Sequence, residues 1–159
     1  MSKIAPCLWF DGQAEDAAKF YTALIPNSRI DKLMRAPSDN PSTPEGAVLT
    51  VEFTLAGQQF IGLNGGPQFQ FTEAVSFTIN CEDQTEVDYY WDALMADGGV
   101  PSRCGWLKDK FGLSWQVVPK QLIQLIASSN RAAAGRAMQA MMKMTKIDVA
   151  ELQRAYEHV

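Results

Sequence analysis

A single histidine, His158, occurs in the 159 residues, one position from the C-terminus. That scarcity excludes a histidine-built metal triad and leaves no imidazole placed to activate a cysteine nucleophile. The three cysteines, Cys7, Cys81 and Cys104, are odd in number and far apart. They make no disulfide framework and no paired zinc spacing, and they read as reduced thiols of a cytoplasmic protein. Lysine and arginine form no dense stripe and the formal net charge is -4, which argues against a nucleic-acid partner. Met1–Pro6 carries no apolar signal-peptide core, and the apolar runs fall far short of a bilayer's width, so no membrane partner is expected.

Apolar side chains are plentiful: they make up 47% of the chain, enough for one substantial core and, most simply, one domain. Ile4–Phe10 is rich in strand formers, and Asp11-Gly12 breaks it. Ala17, Ala18, Phe20, Tyr21 and Leu24 then recur at helical spacing over Ala14–Ile25. Ser28–Arg35 is a weakly alternating strand, and the prolines and polar residues of 36–46 make a loop. Ala47–Ala56 alternates cleanly, and Gly57-Gln58 turns the chain into a strand that ends at Asn64. The order then recurs. Ser76, Thr78 and Asn80 alternate with apolar residues over 74–82, and Asp83 caps a helix through Val87, Tyr90, Trp91 and Leu94. The expected limits are about 3–66 for module one, 74–119 for module two, and 120–159 for a helical extension. In that extension Met138, Met141 and Met142 share a helix face, as core or subunit contact.

The run Cys104–Pro119 predicts a β-hairpin. Leu113, Trp115 and Val117 alternate with Ser114 and Gln116 along its last strand, and Lys108, Asp109 and Lys110 form a solvated tip.

Leu8-Trp9-Phe10-Asp11-Gly12 followed by Phe20-Tyr21, then Asn64-Gly65-Gly66-Pro67, Asp88-Tyr89-Tyr90-Trp91 and the 104–119 run together resemble the PhnB-like branch of the vicinal-oxygen-chelate superfamily. That superfamily includes glyoxalase I, ring-cleaving dioxygenases, and fosfomycin and bleomycin resistance proteins. Related sequences of the branch often carry the name 3-demethylubiquinone 3-methyltransferase. The resemblance implies an α+β fold in which paired βαβββ modules form a curved mixed sheet with a concave cup, usually completed in a homodimer. Here C-terminal helices follow the modules.

In such a fold one sheet face packs under helices and the other lines the cup. The polar parity assigns Thr50 and Glu52, with Thr54, to the cup from one module, and Ser76, Thr78, Asn80, Ser114 and Gln116 from the other. Cys7 and Trp9 oppose the apolar Leu8 and Phe10. Ile61 and Leu63, taken as helix-facing, leave Asn64 for the cup. Trp9 and Trp106 are wall candidates, as is Trp115, although its parity is helix-facing. Glu52 is the candidate general base. Cys104 reads as a packed thiol rather than a nucleophile.

Metal-dependent relatives hold a divalent ion on these strands, and the corresponding positions fall on Ser76, Gln116, Ala5 or Pro6, and loosely Asn64. An alcohol and amides are poor donors for such an ion, so a metal-free site is expected. S-adenosylmethionine is also disfavoured, because no glycine-rich strand-to-helix turn is present to hold it. Three readings result: a small-molecule-binding protein without metal, a 3-demethylubiquinone 3-methyltransferase-like enzyme, and a metal-dependent glyoxalase- or dioxygenase-type enzyme.

Overall fold

The alternation along 47–56 becomes β3 of a computed structural model that describes Ser2–His158 and divides into two compact units between Phe71 and Thr72. The first unit runs β1 (Cys7–Phe10), α1 (Ala14–Leu24), β2 (Arg29–Arg35), β3 (Val48–Leu55) and β4 (Gln58–Asn64). Its sheet has the order β1-β4-β3-β2, with β1 parallel to β4 and the other pairs antiparallel. The second unit runs β5 (Ser76–Cys81), α2 (Gln84–Met95), β6 (Val100–Pro101), β7 (Trp106–Lys108) and β8 (Ser114–Pro119). Its order is β5-β8-β7-β6, again with the first strand parallel to the last. The repeat expected from the sequence is therefore a repeat of topology. β6 was missed because two residues ending in proline carry no alternation.

In the first unit α1 buries Ala14, Ala17, Ala18, Tyr21 and Leu24. Phe53 and Phe60 stack beneath it, 5.4 Å between ring centres, and Tyr21 lies 6.3 Å from Phe53. Small residues let the helix come close: a Cβ on Gly62 would lie 3.2 Å from the Cβ of Ala14. In the second unit α2 buries Val87, Tyr90, Trp91 and Leu94 over Leu107, Trp115 and Val117.

The C-terminal helices α3 (Lys120–Ile126), α4 (Arg131–Met141) and α5 (Val149–Glu157) belong to the second unit. Their core joins Leu122, Met144, Ile147 and Leu152 to Val118 of β8. Met141 packs against it, whereas Met138 and Met142 are exposed. The Gln84 side chain ties the start of α2 to this extension. Its Nε2 donates to the carbonyl of Ile147 at 2.9 Å, and its Oε1 accepts from the amide of Val149 at 2.7 Å. Among the described residues no helix is long and apolar enough to cross a membrane.

Candidate functional site

Strand register decides which side chains share a face. Cys7 pairs with Ile61 and Ile61 with Glu52, while Trp9 pairs with Leu63 and Leu63 with Thr50. All six therefore lie on the face opposite α1. Ile61 and Leu63 do not face the helix as their apolar character had implied; the helix-facing residues of β4 are Phe60, Gly62 and Asn64, all buried.

Asn64 is thus moved from the expected cup to the core. Its Oδ1 accepts from the amide of Ala14 at 2.9 Å and its Nδ2 donates to the carbonyl of Val48 at 3.0 Å. The cause lies in α1, whose N-cap is Gln13, with no side-chain cap of its own. An orphan helix amide buried against a sheet needs a partner, and Asn64 supplies it. The poor cap at Gln13 was the signal available in the sequence. In the second unit Asp83 caps α2 locally, accepting from the amide of Glu86 at 3.0 Å.

Glu52 is half-buried on the open face and registers with Lys32. Cys7, exposed, stands two strands from Glu52 with Ile61 between them, roughly 10 Å at the usual strand spacing. Trp9 is half-buried. Its Nε1 donates to the carbonyl of Gly66 at 2.8 Å, and its ring meets Phe69 edge-on at 4.9 Å. A Cβ on Gly65 would lie 2.4 Å from that indole, so Gly65 is glycine to admit Trp9. Thr54, of the same parity, is buried and donates to Asp31 at 2.6 Å. This hydroxyl, with Arg29 next, holds the Asp31 carboxyl below its ordinary range.

On the second sheet Ser76 registers with Ser114, Thr78 with Gln116, Gln116 with Trp106, and Lys108 with Ser114. These share one face, and the Gln116 Nε2 donates to the Ser76 Oγ at 3.0 Å. Thr78 and Asn80 are exposed. Asn80 registers with Val118, which is buried by the C-terminal helices, so the extension covers Val118 beside the exposed Asn80. The opposite end of the face keeps a pocket of 170 Å³, lined in part by Ser102, Trp106, Lys108 and Ser114. Ser114 is 1% exposed, and its Oγ has no hydrogen-bond partner among the described residues. Lys108 forms an ion pair with Glu73, and that pair holds the Glu73 carboxyl below its ordinary range.

One residue of the hairpin differs from expectation. Asp109 is not a solvated tip but 2% exposed. It accepts from the amides of Phe111 and Leu113 at 2.8 and 3.1 Å and from Trp115 Nε1 at 2.9 Å. Trp115 is consequently core and not a cup wall, as its parity indicated. The Asp-x-x-Gly turn before a strand tryptophan was the readable signal, because an aspartate there bonds its own following amides. Cys81 is buried under α2, and desolvation, with Glu86 next, pushes its thiol up to about 12. Cys104 is half-buried, in a left-handed backbone conformation at φ 59°, with its amide bonded to the carbonyl of Met144.

The donors do not suit the cofactors the resemblance brings to mind. Ser76 and Gln116 are bonded to each other, and no group of three or more His, Cys, Asp or Glu among the described residues is placed to hold a metal ion. Neutral alcohol and amide oxygens are weak partners for a divalent ion of that kind. For a methyl donor, the Gly65-Gly66 turn is filled by Trp9, and the first amide of α1 is taken by Asn64.

The family model for 3-demethylubiquinone-9 3-methyltransferase matches residues 2–118. A PhnB protein from Bacillus cereus is 35% identical over 74% of this chain and 99% of its own, with a TM-score of 0.66. Protein PA1353 from Pseudomonas aeruginosa is 18% identical over 75% and 98%, TM-score 0.60, and shares the fold. A fosfomycin resistance protein from Listeria monocytogenes shares it at 12% identity over 75% and 93%, TM-score 0.50. No curated protein matches the chain. The C-terminal helices lie beyond the residues matched by the family model. With the repeated sheet topology and these matches together, the chain belongs to the PhnB-like family whose model is described as 3-demethylubiquinone-9 3-methyltransferase.

Proposed function

We propose that this protein binds a small organic molecule on the open faces of its sheets, without a metal ion, as a cytoplasmic homodimer. The observation that carries the reading is the 170 Å³ pocket on the second sheet, lined by Trp106 and by Ser114, whose buried hydroxyl has no hydrogen-bond partner among the described residues. A cavity of about 150 Å³ accepts one aromatic ring, so the pocket suits a ring or head group rather than a whole large ligand. The bonded Ser76–Gln116 pair adds a polar rail beside it. Reduced thiols at Cys7, Cys81 and Cys104 suit the cytoplasm, and the long edge strand β2, with Leu33 and Met34 exposed, is a surface a second copy would cover.

Glu52, half-buried on the open face of the first sheet, is the candidate general base for a ligand bound on that face. The methyltransferase reading rests on the family's description. The filled Gly65-Gly66 turn and the Asn64-capped helix weigh against it.

The test pairs elemental mass spectrometry of untagged protein with calorimetry. The expected result is near-zero metal per chain, before and after incubation with zinc, nickel, manganese and iron, and no heat with S-adenosylmethionine. Fragment binding by ligand-observed NMR should persist in chelator. One tightly held ion per chain, or micromolar S-adenosylmethionine binding, would overturn the reading in favour of a metal-dependent or methyl-transferring enzyme respectively.

A further inference from the structure

We infer that the pocket of the second sheet recognises the carboxylate of its ligand, through Lys108 and Ser114, by displacing Glu73. This rests on the reading that the open face binds a small molecule. Lys108 and Ser114 are directly opposed on antiparallel strands, share a face and line the same pocket. Both present donors: an ammonium and a hydroxyl. The Ser114 hydroxyl is buried in the pocket lining with no partner among the described residues, a state that polar groups adopt at a cost. The Oγ is closed to solvent in this structure, so a ligand acceptor removes that cost by parting the lining over it.

The charge of the ligand follows from what Lys108 holds. Its partner Glu73 stands on the segment leading into β5, with its side chain 62% exposed, against 39% for Lys108. Glu73 is thus a surface counterion to a more sheltered cation. It shows that a carboxylate fits against Lys108, and an exposed pair of this kind contributes little stability of its own. A ligand carboxylate that takes its place keeps the ion pair and gains the second donor, Ser114, in a less hydrated position. Trp106 and Val100 register with Gln116 and Lys108 and offer ring and aliphatic surface for the rest of the ligand. The ligand class is therefore a small organic acid with a planar or apolar body. A neutral molecule would leave the Lys108–Glu73 pair in place.

The experiment is an amide-resolved NMR titration of the full chain with benzoate and its uncharged counterpart benzamide. Benzoate should shift the signals of Glu73, Lys108 and Ser114 saturably, and benzamide should bind them at least tenfold more weakly. Lys108→Met should weaken benzoate at least tenfold and Ser114→Ala several-fold. Glu73→Gln should tighten benzoate several-fold, a gain that no merely structural role for Glu73 produces; spectra of each variant report that it is folded. Equal binding of the two rings, or no gain in Glu73→Gln, overturns the proposal while leaving a neutral-ligand cup intact. Absence of saturable shifts on the open faces with either ring removes the small-molecule reading together with it.

Discussion

Asn64, the last residue of β4, accepts the first amide of α1, that of Ala14, at 2.9 Å across fifty positions of sequence. This bond and the one to the Val48 carbonyl make the residue a hinge pin between helix and sheet rather than a ligand contact. Replacement by alanine removes the helix cap, leaving the buried Ala14 amide unpaired, and frees the part-buried Val48 carbonyl. The expected loss is about 2–3 kcal/mol, from caps contributing about 0.5–2 kcal/mol and unsatisfied groups about 1–3. Urea denaturation checks it. Unchanged stability with impaired ligand binding would return Asn64 to the site.

Asp109 binds Trp115 to its own turn, accepting hydrogen bonds from the amides of Phe111 and Leu113 and from Trp115 Nε1. Asp109→Ala should cost about 2–4 kcal/mol, since bonds to a charged group contribute about 1.5–3 kcal/mol each but are not additive. The near-ultraviolet dichroism of Trp115 should weaken with it. A null effect on both would show that the hairpin holds without its aspartate.

Thiol reactivity should rank by burial. Cys7 is exposed and should react first with a disulfide reagent, Cys104 more slowly, and Cys81 only on unfolding. The Cys81 thiol is pushed from an ordinary 9.0 to about 12, so the native state holds its proton where the unfolded state has lost it. That contribution to stability is complete below pH 9 and declines as pH rises from 9 towards 12. Cys81→Ser should flatten that part of the pH–stability profile. An unchanged profile would assign the decline to other groups.

The extension is bolted to the second module through Ile147, fully buried, and through Gln84, which bonds to both Ile147 and Val149. Ile147→Ala should cost about 2–5 kcal/mol and Gln84→Ala about 1–2. Hydrogen exchange should show faster opening of α5 in both. Confinement of the change to α5, with β8 protected, would mean that the extension is not part of the module's core.

Much of this was legible along the chain. Alternation placed Thr50, Glu52, Ser76, Ser114 and Gln116 on the faces where the sheets hold them, because a strand's side chains change sides at every residue whatever the neighbours do. The same rule failed at β4, where Ile61 and Leu63 are apolar on the open face and Asn64 is polar on the buried one. Hydropathy assumes that polar means outward. Asn64 is inward because a helix amide is there to be bonded, and that amide belongs to a residue fifty positions away.

By itself, then, the amino-acid order determined two repeats of strand, helix and strands, their faces, the helix cap at Asp83 and the family. These are properties of periodicity and local hydrogen bonding, carried within a few residues. The tertiary structure alone decided that Asn64 caps α1, that Asp109 is buried against Trp115, that the C-terminal helices close over Val118, and that Lys108 and Ser114 meet in one pocket. Each of these is a pairing across distant segments, set by strand register and by the need of buried polar groups for partners.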